Sequence, residues 1–207
     1  MRKHTRCLVA IALFLWPSSA VLADVSVGIG GGYFHNDFDG DGFDAIDTWL
    51  LGPTVSYSHE SGLGASARVL LSENSGEAIA LLDGAVRYRL GSNFVASVGF
   101  RFESIDYDVT EIFFFAPTIG ITGFYPVSDR ITPFVSASLF PYSLQRDKRA
   151  GGHDSGFGGG GLEAGAAVDI GDRGGFALGL SGRYQVQRFF EKWRQAETVL
   201  TTLTYSF

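Results

Sequence analysis

The stretch Glu197 to Phe207 reads E-T-V-L-T-T-L-T-Y-S-F, and its alternation decides the fold class. Val199, Leu203, Tyr205 and Phe207 fall on one side of an extended strand. Thr198, Thr202, Thr204 and Ser206 fall on the other. Side chains of a strand alternate between its faces, so one face here is apolar and the opposite one polar. A strand of a transmembrane barrel needs that division, with lipid taking the apolar side and the interior taking the other.

The opposite end of the chain carries a different signal. Arg2, Lys3 and Arg6 precede an apolar run from Cys7 to Trp16, and Val21-Leu22-Ala23 supplies small residues for cleavage. The run is too short to span as a helix, which needs about 20 apolar residues. Residues 1–23 are therefore expected to be a cleaved signal peptide, and residues 24–207 a single barrel domain. The only cysteine, Cys7, belongs to that leader, so the mature segment has no disulfide and no thiolate chemistry. Loss of three basic leader residues takes the formal net charge from -6 to about −9, which excludes a nucleic-acid partner of the usual basic kind. Twenty-eight glycines beside 18 phenylalanines and 8 tyrosines suit curved sheet with aromatic girdles.

Working back from the last strand, alternating segments recur at 25–34, 48–58, 63–72, 79–90, 94–107, 112–125, 131–144, 161–170 and 176–188. Short Gly/Asp/Asn/Ser turns at 59–62, 91–93, 128–130 and 171–175 alternate with mostly longer connections, as short periplasmic turns and longer outer loops do. The expectation is an all-β, antiparallel, up-and-down transmembrane barrel of ten strands. Eight is the alternative if the hairpin at 73–78 is misread. Pro53, Pro117 and Pro133 fall within strands and predict local bulges.

Alternation also sorts the charges. Outward positions such as Trp49, Leu51, Val98, Phe100, Ile119, Leu162 and Leu180 form runs without a charge. Arg68, Asp83, Arg87, Arg101, Glu103, Glu163 and Arg183 point inward, with Arg89 and Asp169 nearer the periplasmic rim. Near balance of sign predicts pairing across the interior: Arg68 with Asp83, Glu103 with Arg87 or Arg101, Glu163 with Arg183. Phe114, Phe124, Phe134, Phe140 and Tyr142 are expected inward too, filling the lumen as a plug.

Leader, alternating strands, short turns and terminal aromatic together resemble the small outer-membrane barrels of the OmpA/OmpX-like "porin family" type. The resemblance implies an integral outer-membrane protein of the Gram-negative cell envelope. Leu203, Tyr205 and Phe207 resemble the signal read by the barrel-assembly machinery, although Thr202 stands where a glycine is common. Outer-membrane lipid and lipopolysaccharide are the other expected partners, with Arg188, Lys192 and Arg194 as phosphate contacts in the last outer loop.

Three constellations bear on chemistry. Asp37-Phe38-Asp39-Gly40-Asp41-Gly42 begins like a calcium loop, but Thr48 stands where the bidentate glutamate belongs. What is left is a looser calcium site at Asp37, Asp39, Asp41 and Asp44, and no other cofactor is expected. His153-Asp154-Ser155 resembles the His/Ser pair of lipid A deacylases, here in a glycine run read as a loop. Asp106-Tyr107-Asp108 resembles the paired aspartates of the omptin proteases, without the Asp-x-His that accompanies them. The sequence thus points to a non-enzymatic barrel with a structural or surface-interaction role. A narrow porin-like channel is the alternative, and a lipid A-modifying hydrolase the third reading.

Overall fold

The computed structural model describes residues 23–38, 45–74, 77–106, 111–147, 151–170, 175–189 and 192–207. The expected leader lies outside these residues except for Ala23, which opens the first strand. The strands are β1 (Ala23–Phe38), β2 (Ile46–His59), β3 (Leu63–Asn74), β4 (Glu77–Arg89), β5 (Phe94–Asp106) and β6 (Glu111–Phe124). They continue with β7 (Ile131–Phe140), β8 (Ser143–Asp147), β9 (His153–Gly156), β10 (Gly159–Ile170), β11 (Phe176–Phe189) and β12 (Lys192–Ser206).

Each strand pairs antiparallel with its neighbour, β12 closes onto β1, and β5 joins β6, so the sheet is a closed barrel. The barrel has ten wall strands, because β7 and β8 are two pieces of one and β9 and β10 two pieces of the next. Both pieces keep one register, Phe140↔Gly159 below the break and Ser143↔Gly156 above it. The eight-stranded alternative is thereby excluded. Closure satisfies every ladder edge, which is the condition for crossing lipid with strands.

The outward face carries the expected belt. Trp49, Val98, Leu162 and Leu180 are among its most exposed apolar residues. At the periplasmic rim Phe176 meets Tyr205 at 4.8 Å and Tyr205 meets Phe207 at 4.9 Å. At the outer rim Tyr33 sits edge-on to Trp49 at 5.8 Å. Aromatics at both levels form the two interfacial girdles of a transmembrane barrel.

The prolines behave unequally. Opposite Pro117, the register between β6 and its partner shifts from Ile119↔Leu139 to Phe115↔Leu144, so four residues of one strand face five of the other. That is a bulge, and it sits beside Pro141. At Pro53 pairing with β3 lapses between Leu51↔Leu71 and Thr54↔Arg68 without any shift. Pro133 stays in register opposite Ala166. A missing N–H there costs one ladder bond and no displacement. The bulge also overturns the expected place of Tyr142. One extra residue reverses the alternation, so Tyr142 is exposed while Ser143 and Gln145 are buried.

Two expected loops prove to be strand. Residues 143–147 and 153–156 form the β8–β9 hairpin, and the last outer loop shrinks as β11 runs to Phe189 and β12 begins at Lys192.

Candidate functional site in the lumen

Inward side chains form an apolar cluster and a polar network. Toward the outer ends of the strands, Phe34, Ile46, Leu50, Ile79, Ile105 and Ile112 form part of one fully buried apolar cluster. This corrects the expectation of a polar interior throughout: the outer half of the lumen sets aliphatic side chains beside the buried Asn36, Thr48, Gln187 and Arg194. Each such side chain contributes about 1.5–3 kcal/mol by leaving water. Phe114 and Phe140 form a second cluster edge to face, 6.3 Å apart, and the Arg101 guanidinium lies 5.8 Å from the Phe140 ring.

Interleaved with the apolar cluster lies a continuous ion network. Asp83 on β4 is its hub. Arg101 on β5 donates to it in bidentate fashion at 2.7 and 2.9 Å, Arg68 on β3 at 2.8 Å and Arg183 on β11 at 3.2 Å. Arg183 also donates to Glu163 on β10 at 2.8 and 2.6 Å, and Ser181 donates to the same carboxylate at 2.9 Å. Arg101 reaches Glu103 at 3.7 Å, Gln187 donates to Glu103 at 3.1 Å, and Arg194 forms an ion pair with it. Charge-assisted bonds of this kind are the strong ones, and fork-shaped Arg contacts fix geometry as well.

Where these partners stand on the wall matters most. In the ring of ten strands, β4 and β11 are separated by five steps in either direction, and so are β5 and β12. The Asp83–Arg183 and Glu103–Arg194 contacts therefore cross the full diameter of the barrel. Lined by Asp83, Arg101, Glu163 and Arg183 together with Leu81 and Leu200, the remaining cavity measures about 10 Å³. A cavity needs roughly 10–15 Å³ to hold one water. The lumen is filled at that level.

Of the seven lumen charges read from sequence, six join this network. Arg87 forms no ion pair within it and is exposed toward the periplasmic mouth. The partner the sequence reading missed is Arg194. It was grouped with Arg188 and Lys192 as a lipid contact, yet it is 0% exposed and points inward. Its parity with Ala196 and Leu200, both buried, was the available signal.

The remaining constellations are placed as follows. Asp39, Asp41 and Asp44 lie outside the described residues, and Asp37 is exposed at the outer end of β1. Among the described residues no group of three His, Cys, Asp or Glu has the geometry to hold a metal ion. His153 and Ser155 share the outward face of β9, without a hydrogen bond to each other, and the Asp154 carboxylate accepts from the Ser155 amide at 2.8 Å. Tyr107 and Asp108 lie outside the described residues. Leu203, Tyr205 and Phe207 all face outward. Beyond the outer girdle, Asp47 accepts hydrogen bonds from Tyr33 and from His35, the latter at 2.8 Å. The bond with Asp47 raises the His35 pKa, and the bonds with Tyr33 and then His35 lower that of Asp47.

No protein-family model matches the sequence, and neither does any curated protein. Solved structures do match the fold. The chain is similar to Neisserial surface protein A, with 11% identity over 88% of this chain and 97% of that one, at a TM-score of 0.51. It is also similar to the outer-membrane protease OmpT from Escherichia coli, with 10% identity over 89% and 96%, at 0.52. Both are outer-membrane barrels, in accord with the apolar belt and closed sheet described above.

Proposed function

We propose that this chain is an integral, non-conducting barrel of a Gram-negative outer membrane, delivered by a cleaved leader, whose task is structural or surface-interacting. One observation carries the reading. Two carboxylate–arginine contacts span the whole diameter beside a buried aliphatic cluster, and only about 10 Å³ of cavity remains around the Asp83–Arg183 contact. A wall braced in this way is a rigid mount for the hairpins on its outer side. Leu203, Tyr205 and Phe207, on the lipid side of the closing strand, are suited to recognition by the assembly machinery. Outer-membrane lipid and lipopolysaccharide are its surroundings, and no catalytic role is assigned.

The test is planar-bilayer recording of the purified, refolded mature protein. No steady single-channel openings are expected under applied voltage. Steady openings would overturn the plug and favour the second reading, a narrow channel, which the exposed Arg87 at the periplasmic mouth supports. The hydrolase reading has its own measurement: loss of acyl chains from lipid A that disappears with Ser155→Ala would establish it. A serine lacking a hydrogen-bonded base is poorly set up for that work.

A further inference from the structure

Above the register shift opposite Pro117, β6 and the β8–β9 hairpin line a concave groove of about 560 Å³ on the outer surface of the barrel. It is lined by Phe113 and Phe115 of β6, by Leu144, Gln145 and Arg146 of β8, and by His153, Asp154 and Ser155 of β9. The ladder registers order these groups along the membrane normal. Phe115 and Leu144 pair in one row with Ser155, and Phe113, Arg146 and His153 pair in the row nearer the hairpin tips. Below the groove the apolar wall continues without a break, since Phe115 stacks on Phe100 at 6.3 Å and Phe113 tilts against Phe102 at 5.8 Å.

We propose that this groove seats an anionic lipid of the outer leaflet, its acyl chain on Phe113, Phe115 and Leu144 and its headgroup phosphate between Arg146 and His153. The lower row is apolar apart from Ser155, and the row nearer the hairpin tip adds the Arg146 charge and the His153 ring, the order of an amphiphile with a negative head. Arg146 is exposed and forms no ion pair among the described residues, so its charge is available to a ligand. The His153 ring offers an N–H and the Ser155 hydroxyl a further donor. A groove of this volume lies in the range that holds a small organic molecule. It opens onto the lipid belt, where a polypeptide partner would have to displace hydrocarbon. The inference goes beyond the structural role proposed above and is independent of whether the lumen conducts.

The experiment uses the folded barrel in an uncharged detergent, titrated with dimyristoyl phosphatidylglycerol or dimyristoyl phosphatidylcholine and read by native mass spectrometry. Phosphatidylglycerol is expected to be held about tenfold more tightly, the size that one or two interfacial basic groups supply. Arg146→Gln with His153→Gln should abolish the preference while leaving phosphatidylcholine uptake in place. Arg146→Lys should retain it, and Arg87→Gln, at the periplasmic mouth far from the groove, should leave it unchanged. Heat-modifiable migration on a gel certifies that each variant is folded. Equal retention of the two lipids, or a double variant indistinguishable from the parent, would overturn the site. Displacement of the lipid by inorganic phosphate at comparable concentration would overturn it as well, pointing to a free-anion site.

Discussion

Glu103→Gln changes one atom and removes the negative charge at one end of a diametric contact. The wild-type carboxylate is 1% exposed, accepts from Gln187 and from the 0% exposed Arg194, and lies 3.7 Å from the Arg101 guanidinium. The amide keeps one acceptor oxygen, but its NH2 group turns a repulsive dipole toward a guanidinium. Hydrogen bonds to a charged group contribute about 1.5–3 kcal/mol and neutral ones about 0.5–1.5. Breaking a buried pair from one side costs about 3–5 kcal/mol. The low end applies because the substitution is isosteric, so a loss of about 3 kcal/mol is expected, roughly two decades in the unfolding constant. Reversible urea unfolding from lipid vesicles, followed by the fluorescence of the outward Trp49 and Trp193, measures it. The midpoint should fall while the slope is unchanged. Arg87→Gln, at an inward arginine outside the network, should stay within about 0.5 kcal/mol. Replacing both partners, Glu103→Leu with Arg194→Met, should recover most of the loss, since an apolar substitute for a buried pair is often neutral. A single-variant loss below about 1 kcal/mol would refute the claim that this contact braces the barrel.

Gly159 stands at the kink between β9 and β10 with φ +110, and a Cβ there would lie 2.0 Å from the Val186 carbonyl oxygen. Gly159→Ala should lower stability by about 2 kcal/mol or more in the same assay, whereas Gly182→Ala, with nothing within 4 Å, should be neutral. Outside the girdle, NMR titration should find His35 protonated to higher pH than an ordinary histidine, and Asp47→Asn should return it. The sign follows from the two shifts. A raised His35 stabilises below its ordinary pKa and loses that contribution as pH rises through the raised value. A lowered Asp47 stabilises above its ordinary pKa and loses it as pH falls through the lowered value. The two contributions coincide only between those limits, and an ordinary His35 titration would sink the pairing.

The lipid face was legible because it obeys one local rule, a period of two, that a linear sequence displays directly. The inner pairs on adjacent strands, Arg68 with Asp83 and Glu163 with Arg183, were legible for the same reason: hairpin register brings them opposite one another. The diametric contacts were not, since no sequence separation marks strands that face each other across a closed ring. The buried aliphatic cluster was written in runs that defeat alternation, Trp49-Leu50-Leu51, Val69-Leu70-Leu71 and Ile112 through Phe115. Such runs mean burial on one face and lipid on the other, and both look apolar. The misplacement of Tyr142 came from a single extra residue, which reverses everything beyond it.

The cross-diameter contacts also bear on biogenesis. Asp83 and Glu103 belong to strands made early, while Arg183 and Arg194 arrive on the last two strands of the chain. Until β12 zips onto β1, those carboxylates can meet only the arginines beside them, in a trough still open to water. Sealing the seam thus brings opposite walls together and expels the last solvent in one step. Insertion should accordingly be cooperative, with a half-zipped sheet having little stability of its own to linger on.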